Sequence, residues 1–166
     1  GDQLWQKTLE QELVYRPTAI LEGRVVITLF SGAVLAIDAK DGATYWQVQD
    51  ATPSFPPAVA EDNLYFGTFG GRLKARATND GHILWQQQLN GRLPFLPQIV
   101  DGTVLAGSDP GELAAYDAAT GQRLWHQAFP HELVASPVVV NKQIVGFTSG
   151  GRHISWLARF LKTARP

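Results

Sequence analysis

The sequence predicts an all-β chain built from four tandem units of about 40 residues, and three observations carry that prediction. Trp5, Trp46, Trp85 and Trp125 stand 41, 39 and 40 residues apart. Each has a glycine four positions earlier (Gly1, Gly42, Gly81, Gly121) and a proline eleven or twelve positions later (Pro17, Pro57, Pro97, Pro137). A second glycine series, Gly32, Gly71, Gly111 and Gly151, keeps the same step. Markers of three residue types in one phase define a repeat.

Within a unit, the proline opens a short apolar strand such as Pro137-Val138-Val139-Val140. A polar turn (Glu61-Asp62-Asn63, Val100-Asp101-Gly102) leads to a second strand, as in Leu64 to Thr68. A glycine-bearing hairpin, Gly70-Gly71 or Asp109-Pro110-Gly111, turns into a third strand such as Gly32 to Ile37. An Asp/Gly turn, Asp38 to Gly42, delivers a fourth strand that carries the tryptophan. These turns hold the residue types that supply positive φ or side-chain-to-backbone bonds. Four antiparallel strands in about 40 residues match one blade of a β-propeller.

A lone blade buries neither face, so neighbours must stack on it. Tryptophan brings the largest apolar surface plus one N–H that needs an acceptor, which suits a wedge between blades. Ala36, Ala75 and Ala115, each ten residues before a tryptophan, keep the third strand thin there. The repeated glycines imply backbone geometry that side-chained residues resist.

Composition narrows the function. Apolar residues at 45% and charged residues at 17% describe a globular chain, while 16 Gly and 10 Pro favour turns and short strands. A net charge of −1 with scattered Lys and Arg gives no basic patch for nucleic acid. The absence of cysteine removes disulfides and thiolate metal sites. No apolar run reaches the roughly 20 residues of a membrane-spanning helix. The chain opens at Gly1 and holds no Met, so it reads as a processed or excised piece, and any targeting segment would lie outside it.

Ala36 to Trp46 and Ala115 to Trp125 fit the pattern A-x-D-x-x-x-G-x-x-x-W, and Ala75 to Trp85 fits with Ala77 in place of the Asp. This segment resembles the tryptophan-docking repeat of the PQQ-like (quinoprotein-type) β-propellers, and is most similar to their non-enzymatic BamB-type members. The resemblance implies one propeller domain over residues 1–166. Its expected parts are a blade-closing strand at 1–10, blades at 17–50, 57–90 and 97–130, and an incomplete blade at 137–166. The segment Ile154 to Lys162 reads as a strand, with a short amphipathic helix as the alternative. Family members usually have seven or eight blades, so the chain is a half-ring that pairs with a second copy or with further sequence, a closed four-blade ring, or an open-edged fragment.

No catalytic constellation emerges. Asp38 and Asp117 are motif residues expected to bond their own turns. His82, His126, His131 and His153 share no ligand spacing. The glycine clusters at 67–71 and 149–151 precede no helix that could hold a phosphate. No cofactor is expected. The connectors between each tryptophan strand and the next proline diverge from unit to unit, which is where scaffolds carry recognition. In BamB-type relatives such a connector contacts the assembly partner through Leu and Arg. Arg92, Leu93, Phe95 and Leu96 are the counterparts proposed here; their plainer role would be capping a blade edge. The expected function is a non-catalytic protein-binding scaffold of the bacterial envelope, periplasmic or otherwise extracytoplasmic, or a sensor domain there. The alternative is part of a PQQ-dependent dehydrogenase whose catalytic residues lie elsewhere.

Overall fold

Short β-branched and aromatic runs, each closed by a tight turn, place fifteen strands and no helix among the described residues. The computed structural model describes residues 2–9, 14–21, 23–141, 143–150 and 153–157, with the backbone alone for 14–21 and 153–157. The first sheet is β1 (Val14–Leu21), β2 (Arg24–Leu29), β3 (Ala33–Asp38) and β4 (Thr44–Gln49). The second is β5 (Ala58–Ala60), β6 (Asn63–Gly67), β7 (Arg72–Ala77) and β8 (Ile83–Gln88). The third is β9 (Gln98–Val100), β10 (Thr103–Ser108), β11 (Glu112–Asp117) and β12 (Arg123–Ala128). The fourth holds β13 (Val138–Val140), β14 (Gln143–Phe147) and β15 (His153–Leu157). Every sheet is a simple antiparallel meander, and first strands of consecutive sheets lie next to one another.

The turns follow the sequence chemistry. Asp101 and Gly102 both have positive φ, as a type I′ hairpin demands. Asp38 Oδ1 accepts the Lys40 amide at 2.7 Å, and Asp117 Oδ1 accepts the Ala119 and Thr120 amides. In each complete sheet the small alanine faces the tryptophan directly, as Ala36–Trp46, Ala75–Trp85 and Ala115–Trp125. A one-residue bulge follows immediately in all three, which increases the local twist.

Cohesion between sheets comes from the tryptophans. The indoles of Trp5, Trp46 and Trp85 cross to the next unit, and each donates to a carbonyl of that unit's third-to-fourth-strand turn. Trp5 Nε1 bonds Ala39 O at 2.8 Å, Trp46 Nε1 bonds Thr78 O at 2.9 Å, and Trp85 Nε1 bonds Ala118 O at 2.8 Å. Under each ring lies the next unit's motif glycine. A Cβ on Gly42, Gly81 or Gly121 would come within 2.8, 2.8 and 2.6 Å of the ring above it. These glycines also have φ between +71° and +77°. Trp46 and Trp85 are only 8% exposed, whereas Trp5 and Trp125 are half-buried. The apolar clusters repeat the arrangement: Trp46 packs with Leu64 and Phe66, and Trp85 with Val104, Ala106 and Tyr116 of the following sheet.

Residues 2–9, read from the sequence as a strand, join no sheet among the described residues. Their expected ladder partner is the third strand of the incomplete last blade, but β15 pairs only with β14 among the described residues. The segment is held instead by Trp5 and by Lys7 Nζ, which donates to Gly42 O at 3.0 Å. The C-terminal segment is a strand through Leu157, and residues 158–162 of that reading lie outside the described ones, as do Gly1 and Gly151.

The glycine beneath an indole does two jobs, and a pair of variants separates them. Gly121→Ala should lower unfolding free energy by about 3–4 kcal/mol, from backbone strain plus the clash with Trp85. Gly102→Ala, at similar φ with no atom within 4 Å of the added methyl, should cost about 1–2 kcal/mol. Urea titration of the two variants gives the comparison; equal losses would refute the packing role.

Candidate protein-interaction surface

The connectors leaving β4, β8 and β12 lie beside the hairpins between second and third strands, so both sets of loops form one face. Ser54 bridges Thr68, Phe55 N donates to Gly67 O, and Phe69 N donates to Pro53 O. Leu93 N donates to Thr68 O, while Asp109 N donates to Arg92 O. Leu133 bridges Thr148, and Val134 N donates to Phe147 O. Backbone bonds therefore stitch the connectors into a rigid surface.

The structure divides the four connector residues singled out from the sequence. Arg92 is exposed; its Nε donates to Asp109 Oδ2 at 2.6 Å and its amide to Asp109 Oδ1 at 2.9 Å. Leu93 is 1% exposed and belongs to the core between the second and third sheets. It plugs a slot left by Gly67, where an added Cβ would sit 2.3 Å from Leu93 Cβ. Leu93 is therefore no surface anchor. Phe95 is half-buried beside Gly107, and Leu96 is 43% exposed with its amide on Ser136 Oγ at 3.2 Å.

Sequence reasoning missed an aromatic row on this face. Phe55 and Phe69 stack at 4.3 Å, and Phe30 tilts against Phe69 at 5.5 Å. Phe30, Val134 and Phe147 add exposed apolar area. The available signal was positional: Phe30 and Phe69 each precede a second-series glycine by two residues, where Asp109 and Ser149 stand in the other units.

A carboxylate anchors the start of the 90–96 connector. Glu112 accepts the Asn90 amide at 2.9 Å, Asn90 Nδ2 at 2.8 Å, and faces His126 Nε2 at 3.0 Å. Burial pushes the Glu112 pKa up, but the donors from Asn90 and His126 outweigh it and hold the carboxyl below its ordinary value. The other histidines serve locally: His82 pairs with Asp80, and His131 packs against Gly150. The side chain of His153 lies outside the described ones.

The first strands β5 and β9 border a groove lined by Pro57 to Ala60, Leu96, Pro97, Gln98 and Ile99, in which one amide is the only polar side chain among the described residues. None of these side chains offers a cation to the carboxylates of a quinone cofactor. No three acidic or histidine side chains converge on a metal position among the described residues.

Comparison with known proteins places this geometry. The sequence model of the family described as outer membrane protein assembly factor BamB matches residues 1–93 and again 71–158. The chain belongs to this family. BamB of Yersinia pestis is 30% identical over 121 residues, which covers 63% of this chain and 30% of that protein. The crystal structure of BamB from Moraxella catarrhalis superposes with a TM-score of 0.66 at 28% identity, covering 80% of this chain and 46% of that one. The computationally designed Ika4 protein shares the fold at a TM-score of 0.82 and 17% identity, over 94% of this chain and 98% of that one. The chain thus spans about a third of the Yersinia relative and under half of the Moraxella one.

The Glu112 anchor generates a pH test. Its contribution is complete above the ordinary carboxylate range and is lost as pH falls through the lowered folded-state pKa. Hydrogen exchange at the Asn90 amide, corrected for intrinsic rate, should be slow at about pH 6 and accelerate below about pH 4. Glu112→Gln should accelerate it at neutral pH; unchanged protection in both experiments would refute the anchor.

Proposed function

We propose that the chain is a non-catalytic, protein-binding scaffold of the bacterial cell envelope that acts in outer-membrane protein assembly from an extracytoplasmic position. Family membership supports the process. The observation that carries the binding role is the stitched loop face, on which Arg92 and Leu96 stand out beside exposed Phe30, Val134 and Phe147. Apolar side chains on a rigid backbone, with an arginine fixed by a carboxylate, have the makings of a binding anchor.

The four sheets are read here as blades of one propeller domain, at 17–50, 57–90, 97–130 and 137–166. Trp5 occupies the position of a preceding blade's outer strand, and β15 carries no fourth strand among the described residues. Both edges suit continuation into a larger ring, supplied by further sequence or by a second copy.

Two measurements test these readings. A photo-crosslinking residue at Leu96, in chain exported to the periplasm of a Gram-negative cell, should form an adduct with a component of the outer-membrane assembly machinery. The same probe at Ile83, exposed on the outer strand β8, should not. Equal labelling from both, or none from Leu96, would sink the surface assignment. Sedimentation of the isolated chain should show a species of twice 18.2 kDa if two copies complete the ring. A monomer at every concentration would exclude the homodimer.

A further inference from the structure

One contact between sheets has its polarity reversed relative to the equivalent contacts. The residue four positions after the docking tryptophan is Leu9, Leu89 or Phe129 elsewhere in the chain, but Asp50 after Trp46. The facing third strand presents Leu35 and Ile37 in the first sheet and Ala114 and Tyr116 in the third, but Lys74 and Arg76 in the second. Leu9 packs with Leu35 and Ile37, and Leu89 with Ala114 and Tyr116. Between the first and second sheets three charges take their place. Lys74 Nζ lies 2.7 Å and Arg76 Nη2 2.5 Å from Asp50 Oδ1, and both cations are 4% exposed.

A fourth position reverses in the opposite sense. Two residues after the tryptophan, Lys7 and Gln87 donate to the carbonyls of Gly42 and Gly121 in the next unit. The counterpart at this contact is Val48, which has no donor, and Arg76 Nη1 serves the Gly81 carbonyl from the other side. Four positions thus change together, and each loss is answered across the seam.

Stability does not explain the exchange. Buried charges lose hydration that their mutual attraction repays only with complete hydrogen bonding. Asp50 Oδ2 and Arg76 Nε are buried with no hydrogen-bond partner among the described residues. Apolar residues hold the equivalent places at less cost.

We propose that Asp50, Lys74 and Arg76 form a docking code that makes the first tryptophan strand, β4, fit only the second sheet. Tandem units of near-equal shape are prone to misassembly and to exchange of strands between copies. If β4 docks on the first or third sheet's face, Asp50 meets only apolar side chains. If an apolar-ended tryptophan strand docks on the second sheet, Lys74 and Arg76 are buried without a carboxylate. Both errors are strongly disfavoured, so the polar seam fixes the order of neighbours.

The test is refolding from urea over a range of chain concentrations, read by size-exclusion chromatography and amide NMR. The variant V48K/D50L/K74L/R76I gives this seam the residues of the first one, namely Lys7, Leu9, Leu35 and Ile37. It should retain β-structure and melt no lower than the parent chain. Its yield of the parent species should fall several-fold as concentration rises, with exchanged oligomers or multiple amide peaks. The charge-exchanged variant D50K/K74D, which keeps a polar seam, should refold as the parent does. A single species in parental yield from the four-residue variant would overturn the proposal. So would its failure to fold, since the charges would then serve cohesion, and so would misassembly of D50K/K74D.

Discussion

The structure depends on one contact repeated along the chain: an indole lying on a bare glycine and donating its only N–H to a carbonyl of the next unit. Burial of an aromatic side chain withdraws roughly 150–250 Å² from water, and tryptophan is the largest of them. That area is usable only if the N–H is satisfied and the ring can approach backbone closely. Ala39, Thr78 and Ala118 supply the acceptors; Gly42, Gly81 and Gly121 supply the approach. The rest of each sheet is arranged around this contact. The alanine opposite each tryptophan admits the ring, and the bulge beside it turns the outer strand.

The loop face is a by-product of the same geometry. Sheets locked at their outer strands hold connectors and hairpins at fixed positions, and backbone bonds then join loop to loop. Side chains displayed there stand on a backbone that is already ordered, which lowers the ordering cost of any contact they make. The inner groove, by contrast, is lined by Pro, Ala, Val and Ile with a single amide.

Much of this was legible in the sequence, for reasons of period and turn chemistry. The tryptophan step, the alanines and the Asp/Gly turns identify the blades and their strand order, because each residue type meets a local steric or hydrogen-bonding demand. The glycines were read as backbone devices, and their second role beneath the preceding unit's ring was hidden because it is a contact between repeats. Leu93 looked like part of an exposed run, Arg92 to Leu96; only the slot at Gly67 turns it inward. The strand expected at residues 2–9 follows from the repeat, but a ladder needs a neighbour that local sequence cannot name. The Asp50–Lys74–Arg76 cluster was readable as a departure from the repeat at three positions, although its closure in space was not.

Because every docked indole is seated in the unit after its own, its environment belongs to its neighbour. Trp46 senses the turn at Thr78, and Trp85 senses the turn at Ala118. Intrinsic fluorescence of this molecule is accordingly a reporter of junctions: a blade that loosens would dim or redden the emission of the tryptophan preceding it along the chain, while leaving the emission of its own largely intact. Single-tryptophan versions would therefore map melting seam by seam.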